Sequence, residues 1–338
     1  MRTKKRSLTP SAIRSLMLLL AVLVAPHAAS AHSVAHEQDS NNDRVMAAQK
    51  YGGVRKSTGE VTVTYYGHMA FKITSPRGIE LLIDPWRNDP THMFGMWYQM
   101  HLPKQRTDIA LVTHAHFDHD ATERVDAAMI LDRMAGTFEL GDVKILGIAE
   151  KHMCEAQGKY PFRSAVIAAT GKDPCPPDES TQWNNNMYVI ETGGLRFLHW
   201  GDNRQNPPEH IWEMVGDIDV AFLSVSDDGH ILTPKWADVV MKKLGANIVI
   251  PSHYYVHGIG VPHAGGLEPA LAWTKTHEHT LLDSPTLVLT PEKVKPYNQH
   301  VMYFGDHVPF AVTGTPPEPQ PDIPPVPEPA KAWERFAH

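Results

Sequence analysis

The stretch Thr113-His114-Ala115-His116-Phe117-Asp118-His119-Asp120 constrains this chain more than any other. Three imidazoles and two carboxylates fall within seven residues, directly after Ile109–Thr113, which reads as a buried strand. In an extended or turning backbone, residues i and i+2 share a side, so His114 and His116 reach one ion. As the chain turns toward a helix starting near Ala121, Asp118 and His119 face a second position. Mixed hard oxygen and borderline nitrogen donors suit zinc, and also manganese or iron. A solvated polar loop fits a lone histidine well, but it does not account for an HxHxDH run set at the end of an apolar strand. The chain holds 21 histidines among 338 residues, and imidazole is the commonest metal ligand.

Around the motif the pattern is one of mixed strands and helices. Val61–Tyr66 is β-branched and aromatic, Gly67 interrupts it, and Phe71–Thr74 resumes; Arg77-Gly78 marks a turn before Glu80–Asp84. Later strands are expected at Val143–Ile148, Met187–Glu191, Leu195–His199, Val220–Ser224, Ile248–Ile250 and Thr286–Leu289. Helical patterns lie near Thr122–Met134, Pro208–Val215 and Pro234–Leu244, the last with Thr233 as N-cap and Pro234 in the first turn. This describes one α/β domain over 59–312 with packed sheets. A polar segment with a short helix around Arg44–Lys50 precedes it (32–58). A proline-rich tail follows it (313–338), with eight prolines between Thr315 and Pro329. The stretch Cys154–Trp183 reads as an insertion loop. Cys154 and Cys175 are the only cysteines, and spacing leaves open whether they are bridged or free. The aromatic group Trp86, Trp97 and Tyr98 reads as core rather than as a substrate platform.

Residues 1–31 read as an export signal: a basic head, the apolar run Ser15–Ala25, and Ala29-Ser30-Ala31 as the cleavage site. The expectation is a periplasmic or secreted protein cut after Ala31, with no stable membrane insertion afterwards. The formal charge is −7 although those 31 residues carry five bases and no acid, so the remainder is more acidic still. Such a surface disfavours nucleic-acid partners and leaves a small-molecule substrate as the expected partner; oligomeric state is not legible.

The HxHxDH motif resembles that of the metallo-β-lactamase superfamily of metal-dependent hydrolases. Tyr66–Phe71, the strand-end Asp84, Gly201-Asp202 and Pro251-Ser-His-Tyr254 extend the likeness over about residues 60–257. Those segments look most like the branch holding ascorbate-6-phosphate lactonase and N-acyl phosphatidylethanolamine phospholipase D. The resemblance implies an α/β fold, the four-layer αβ/βα sandwich, with two divalent ions at the upper edge of its sheets. His114 and His116 would hold the first, Asp118 and His119 the second, Asp202 would bridge them, and His253 would complete the second site. His152 matches the third histidine of the first site, and His199 competes for that role. Asp84 would accept the other ring N–H of a ligand histidine. His68 would approach the cleft or simply occupy a turn; His230 would meet substrate or nothing. His257 and His263 are candidates of the same kind.

The activity so implied is a hydrolase in which metal-bound hydroxide cleaves an ester, lactone or phosphodiester, with Asp118 contacting the attacking water. Few bases near the motifs disfavour a phosphomonoester. Two alternatives stand beside this: a noncatalytic extracytoplasmic zinc-binding protein, and a β-lactam-hydrolysing member of the same superfamily.

Overall fold

The computed structural model describes residues 40–53, 59–92, 94–153, 164, 167, 184–227 and 231–312. Residues 1–31, expected to be an export signal, Cys154, Cys175, most of the 154–183 insertion, His230 and the proline-rich tail lie outside these residues. The chain divides into the units Met1–Asp43 and Arg44–His338. Only 40–43 of the first are described, as the opening residues of helix α1 (Ser40–Tyr51).

Six strands form the first sheet. β1 (Val61–Tyr65), β2 (Phe71–Thr74) and β3 (Glu80–Ile83) make an antiparallel meander in the register Tyr65↔Phe71 and Phe71↔Ile83. β4 (Gln105–Val112) runs parallel to β3, and β5 (Val125–Asp132) parallel to β4. β13 (Thr286–Leu289) closes the other edge against β1. In β1, Val61, Val63 and Tyr65 face inward while Thr62 and Thr64 are half-buried, the period-2 alternation of a strand with one face on a core.

The second sheet holds eight strands. β6 (Gly136–Leu140), β7 (Val143–Lys151), β8 (Asn184–Thr192) and β9 (Leu195–His199) are each antiparallel to the next. β10 (Val220–Ser224), β11 (Ile248–Ser252) and β14 (His300–Tyr303) continue in parallel from β9, and β12 (His279–Leu281) pairs with β14. β10 and β11 are buried along their whole length, as expected for parallel strands covered on both faces.

Two apolar layers account for that burial. Between the sheets, Phe71, Ile73, Leu111, Tyr188, Phe197, Phe222 and Ile250 belong to one core, with Phe71 and Phe222 ring centroids 4.4 Å apart. On the outer face of the second sheet, Val189, Leu198, Leu223 and Val249 pack with Ile211 and Val215 of α2 (Glu209–Val215) and Val240 and Leu244 of α3 (Pro234–Leu244). α3 starts and stops where its sequence indicates: Thr233 Oγ1 accepts from Trp236 N, and Gly245 ends it in the left-handed region at φ 60°. Two further α-helical segments are single turns, α4 (Leu271–Thr274) and α5 (Pro291–Val294).

One expectation fails. No helix spans Thr122–Met134: a 3-10 turn at Thr122–Arg124 leads into strand β5. Ala127, Ala128, Met129 and Leu131 are good helix formers, but the edge of β4 offers a full ladder from Gln105↔Val125 to Val112↔Asp132. Inward Leu131 and half-buried Val125 and Met129 alternate with exposed Asp126, Ile130 and Asp132, so the period is two after all. Tertiary pairing overrides local propensity here. Trp86, Trp97 and Tyr98 are buried, in line with a core reading of their rings.

Candidate metal centre

The topology sends several strand ends to one edge. β3 and β4 are parallel, and β1 points the same way through two antiparallel steps, so the β1–β2 turn, Asp84 after β3 and the motif after β4 share that edge. In the other sheet β7, β9 and β11 likewise run in one direction, which puts His152, Asp202 and His253 at their common end. Sequence positions as far apart as His68 and His253 therefore meet. The sheets are stitched there by Asn186 N donating to Thr113 O (2.8 Å), Tyr188 Oη to Val112 O (3.0 Å) and His199 Nε2 to Met69 O (3.1 Å).

Eight side chains form two four-membered donor clusters, each with its ligand atoms within 4.8 Å of one another. The first is His114, His116, His152 and Asp202; the second is His68, Asp118, His119 and His253. All are buried except His116, which is half-buried. Asp202 Oδ2 lies between the clusters, 3.7 Å from His114 Nε2, 3.4 Å from His152 Nε2, 3.4 Å from His119 Nε2 and 3.3 Å from His253 Nε2. Asp118 Oδ2 is 3.0 Å from His68 Nε2, 3.4 Å from His119 Nε2 and 3.4 Å from His253 Nε2.

Hydrogen bonds outside the clusters decide which ring nitrogens face inward. A carboxylate oxygen only accepts, so His119 Nδ1–H donates to Asp84 Oδ2 (2.9 Å) and its Nε2 faces the site. The Thr113 hydroxyl donates its single proton to Asp84 Oδ2 (2.7 Å) and hence accepts from His114 Nδ1–H (3.0 Å), which turns His114 Nε2 inward. His152 Nδ1–H donates to Met153 O (2.5 Å), with the same effect. His114 Nε2 and His116 Nδ1 stand 3.0 Å apart, a spacing at which both can lie about 2.0–2.1 Å from one zinc ion. His119 Nε2 and Asp202 Oδ1, both buried, have no hydrogen-bond partner among the described residues. Inward atoms of this kind fit a cation.

The electrostatics make the same demand. Burial pushes the Asp202 carboxyl up, but His119 and His253 outweigh it and hold it well below the usual carboxylate range. Asp118 behaves likewise: burial raises it, and His119, His253 and His68 bring it far down. Burial lowers His253, yet Asp202 and Asp118 lift it to about 9; burial lowers His119 too, and Asp202, Asp118 and Asp84 raise it well above its ordinary value. Burial and neighbouring imidazoles push His114 well down and His116 to about 3. Two ionised carboxylates thus recruit positive charge wherever they can, while the outlying imidazoles stay neutral and able to donate lone pairs.

Three residues at this edge adopt left-handed backbone: His68 (φ 55°), Asp84 (φ 47°) and His253 (φ 58°). Such values are uncommon outside glycine and cluster at functional sites. Gly201, at φ 58°, is required beside them, since a Cβ there would lie 2.6 Å from Asn185 Oδ1 and 3.0 Å from Thr113 Cβ.

Of the sequence candidates, His114, His116, Asp118, His119, His152, Asp202 and His253 converge, and Asp84 sits directly behind two of them. His68 joins the second cluster rather than merely capping a turn. His199 enters neither: its Nε2 is spent on Met69 O, and its Nδ1 is 3.8 Å from Asp84 Oδ2. His257 and His263 stand apart; the His257 backbone N donates to Asp306, and exposed His263 pairs with Glu268 at 2.7 Å. Asp120, the second motif carboxylate, binds Arg87 (2.7 Å) and fastens the loop instead. Two contributors went unread. Thr113 carries the relay from Asp84 to His114. Asn185 shapes the turn before Asp202 by accepting from its backbone N–H (3.1 Å); the run Asn184-Asn185-Asn186 entering a strand was the available signal, since asparagine is depleted in strands.

A family model described as a beta-lactamase superfamily domain matches residues 62–253. A UPF0173 metal-dependent hydrolase from Thermodesulfovibrio yellowstonii is 28% identical over 216 residues, covering 59% of this chain and 80% of that protein. One from Anaeromyxobacter sp. (strain K) is 28% identical over 273 residues, covering 72% of this chain and 88% of that protein. A solved Thermotoga maritima structure of the metallo-beta-lactamase superfamily aligns with a TM-score of 0.50 at 22% identity, covering 72% of this chain and 98% of that one. At that identity the likeness speaks for the fold.

Proposed function

This chain belongs to the beta-lactamase superfamily and is a metal-dependent hydrolase, and from that premise we propose that it works with two divalent ions on an ester, lactone or phosphodiester bond. The observation that carries the reading is the position of Asp202 Oδ2, 3.3–3.7 Å from inward nitrogens of both clusters. His114, His116 and His152 would hold one ion, Asp118, His119 and His253 the other, with Asp202 shared and His68 beside the second. Zinc is the proposed metal, since imidazole nitrogens and carboxylate oxygens around each position suit it; manganese and iron share the preference for nitrogen and oxygen donors. Ions bound there would acidify water and polarise the oxygen of the bond under attack.

The residues of the chain supply the rest. Asp118 stands ionised at neutral pH and takes the proton that the attacking water gives up. His68 Nε2 faces Asp118 Oδ2 at 3.0 Å, and burial and neighbouring His253 lower its pKa to about 4, so it meets that carboxylate as a neutral N–H donor. Asp84 and Thr113 hold His119 and His114 in one tautomer throughout. Arg87, bonded to Asp120 (2.7 Å) and Glu123 (2.9 Å), fixes the loop that carries the motif.

The test is turnover by metal-loaded protein on a panel of lactones, bis-p-nitrophenyl phosphate and nitrocefin, beside an Asp118→Ala variant shown to fold. Loss of a wild-type activity in the variant supports the reading. Activity confined to nitrocefin would make the protein a β-lactam hydrolase, and two-metal binding with no turnover on any substrate would overturn the substrate assignment. We also read residues 1–31 as an export signal that places the enzyme outside the cytoplasm; N-terminal sequencing of the mature protein for a start at His32 tests this. Among the described residues no helix is long and apolar enough to cross a membrane.

A further inference from the structure

The buried polar atoms without a hydrogen-bond partner among the described residues include His119 Nε2, Asp202 Oδ1 and the Tyr98 hydroxyl. The first two belong to the donor clusters, where a bound cation would displace the His119 proton and take both atoms as ligands. The third differs in kind, because a phenol O–H is a donor. A phenol with an ordinary pKa of about 10 keeps its proton at neutral pH, so the hydroxyl is a donor.

The remainder of Tyr98 is fully satisfied and rigid. Its backbone N–H donates to Asn88 Oδ1 (2.8 Å), and its carbonyl accepts from Asn88 Nδ2 (2.9 Å). The residue forms a β-bridge with Gly260, flanked by Gln99 N donating to Ile259 O (2.7 Å) and Val261 N to Trp97 O (2.8 Å). Its ring lies against Trp86, with centroids 4.4 Å apart, and edge-on to the His68 imidazole at 5.6 Å. Only the hydroxyl lacks a mate among the described residues, at a residue just 2% exposed whose ring meets that of His68. Leaving one buried donor unpaired in an otherwise satisfied framework is costly, and such groups mark places where a ligand supplies the acceptor.

We propose that the Tyr98 hydroxyl donates a hydrogen bond to the substrate, to an oxygen of the ester, lactone or phosphodiester group held on the His68–Asp118 side of the site. The proposal rests on the hydrolase reading above. It makes Tyr98 a catalytic residue of this chain, in which a donor fixed before the substrate arrives favours the charge that gathers on oxygen as the bond is attacked.

The test compares full-length, metal-loaded wild type with Tyr98→Phe, which removes one oxygen and keeps the ring. Expected are a kcat lower by roughly 100-fold with KM little changed, equal metal content, and weaker binding of inorganic phosphate by calorimetry. The melting temperature of Tyr98→Phe should be equal or higher, because the unpaired donor is gone. Wild-type kcat and phosphate affinity in the variant would overturn the proposal and leave the hydroxyl a purely structural group. If wild type turns over nothing on the panel, the substrate reading fails by itself, and the phosphate comparison still decides Tyr98. Should the phenylalanine variant fold poorly, 3-fluorotyrosine at position 98 keeps the shape and strengthens the donor. Tighter phosphate binding would then support the role, and unchanged binding would overturn it.

Discussion

His119 Nδ1 donates to Asp84 Oδ2 across 2.9 Å with both side chains fully buried. The same oxygen receives the Thr113 hydroxyl, and through it governs His114, so one carboxylate orients an imidazole in each donor cluster. Asp84→Asn keeps the shape, but its single oxygen cannot serve both Thr113 N, which donates to Oδ1, and the two donors on Oδ2. Metal affinity should fall at both clusters by about 10- to 100-fold, read by competition with a chromophoric chelator. A loss at one cluster alone would contradict the shared role.

Thr113→Val removes the middle of that relay with little change in volume. Asp84 Oδ2 then loses one donor, and His114 Nδ1–H is buried without an acceptor. The metal-free protein should lose about 1–3 kcal/mol of stability by denaturant titration. Unchanged stability would mean that the hydroxyl bonds are replaced by other partners.

Proton release should accompany metal uptake. His253 sits near 9 in the folded chain because, against the pull of burial, Asp202 and Asp118 favour its charged form. Its unfolded value is about 6.5, so its contribution to stability is complete below pH 6.5 and fades as pH rises through 9. A cation taking that place at pH 7 must expel the proton. Apparent affinity should therefore climb by about tenfold per pH unit for each proton released, levelling near 9 for this group. Calorimetry in buffers of different ionisation enthalpy checks this, and a binding heat independent of buffer would refute it.

His152 and His199 separate cleanly in the structure, and substitutions should separate them too. His152→Ala should weaken metal binding at the first cluster and reduce the bound metal at equilibrium, measured by plasma emission after dialysis. His199→Ala should retain its metal and instead lower the melting temperature, because Met69 O loses its donor in a buried place. The reverse pattern would assign the first cluster to His199.

The clustering of the motif residues and most strand cores were legible because they rest on local rules. His114, His116, Asp118 and His119 are neighbours in sequence, and the strand Leu195–His199 and helix Pro234–Leu244 carry their own boundaries. What escaped depends on contacts made at a distance. The segment after Thr122 became a strand because β4 had an open edge. His68 reads equally as a cleft residue or a turn residue until the β1–β2 hairpin is set against β11, where its carbonyl accepts from His253 N at 3.0 Å. Thr113 looks like an ordinary strand end, and its importance comes from Asp84, twenty-nine positions earlier in the chain. The aromatic character of Tyr98 correctly indicated burial, while its hydroxyl, a single atom, carried no pattern to read.

The left-handed backbone at His68, Asp84 and His253 sets firmness against chemistry. Glycine at any of the three would relax the chain and erase the group that acts. Screens that reward heat resistance alone should drift toward that exchange and yield sturdier, silent proteins, so these positions survive only where the work itself is selected.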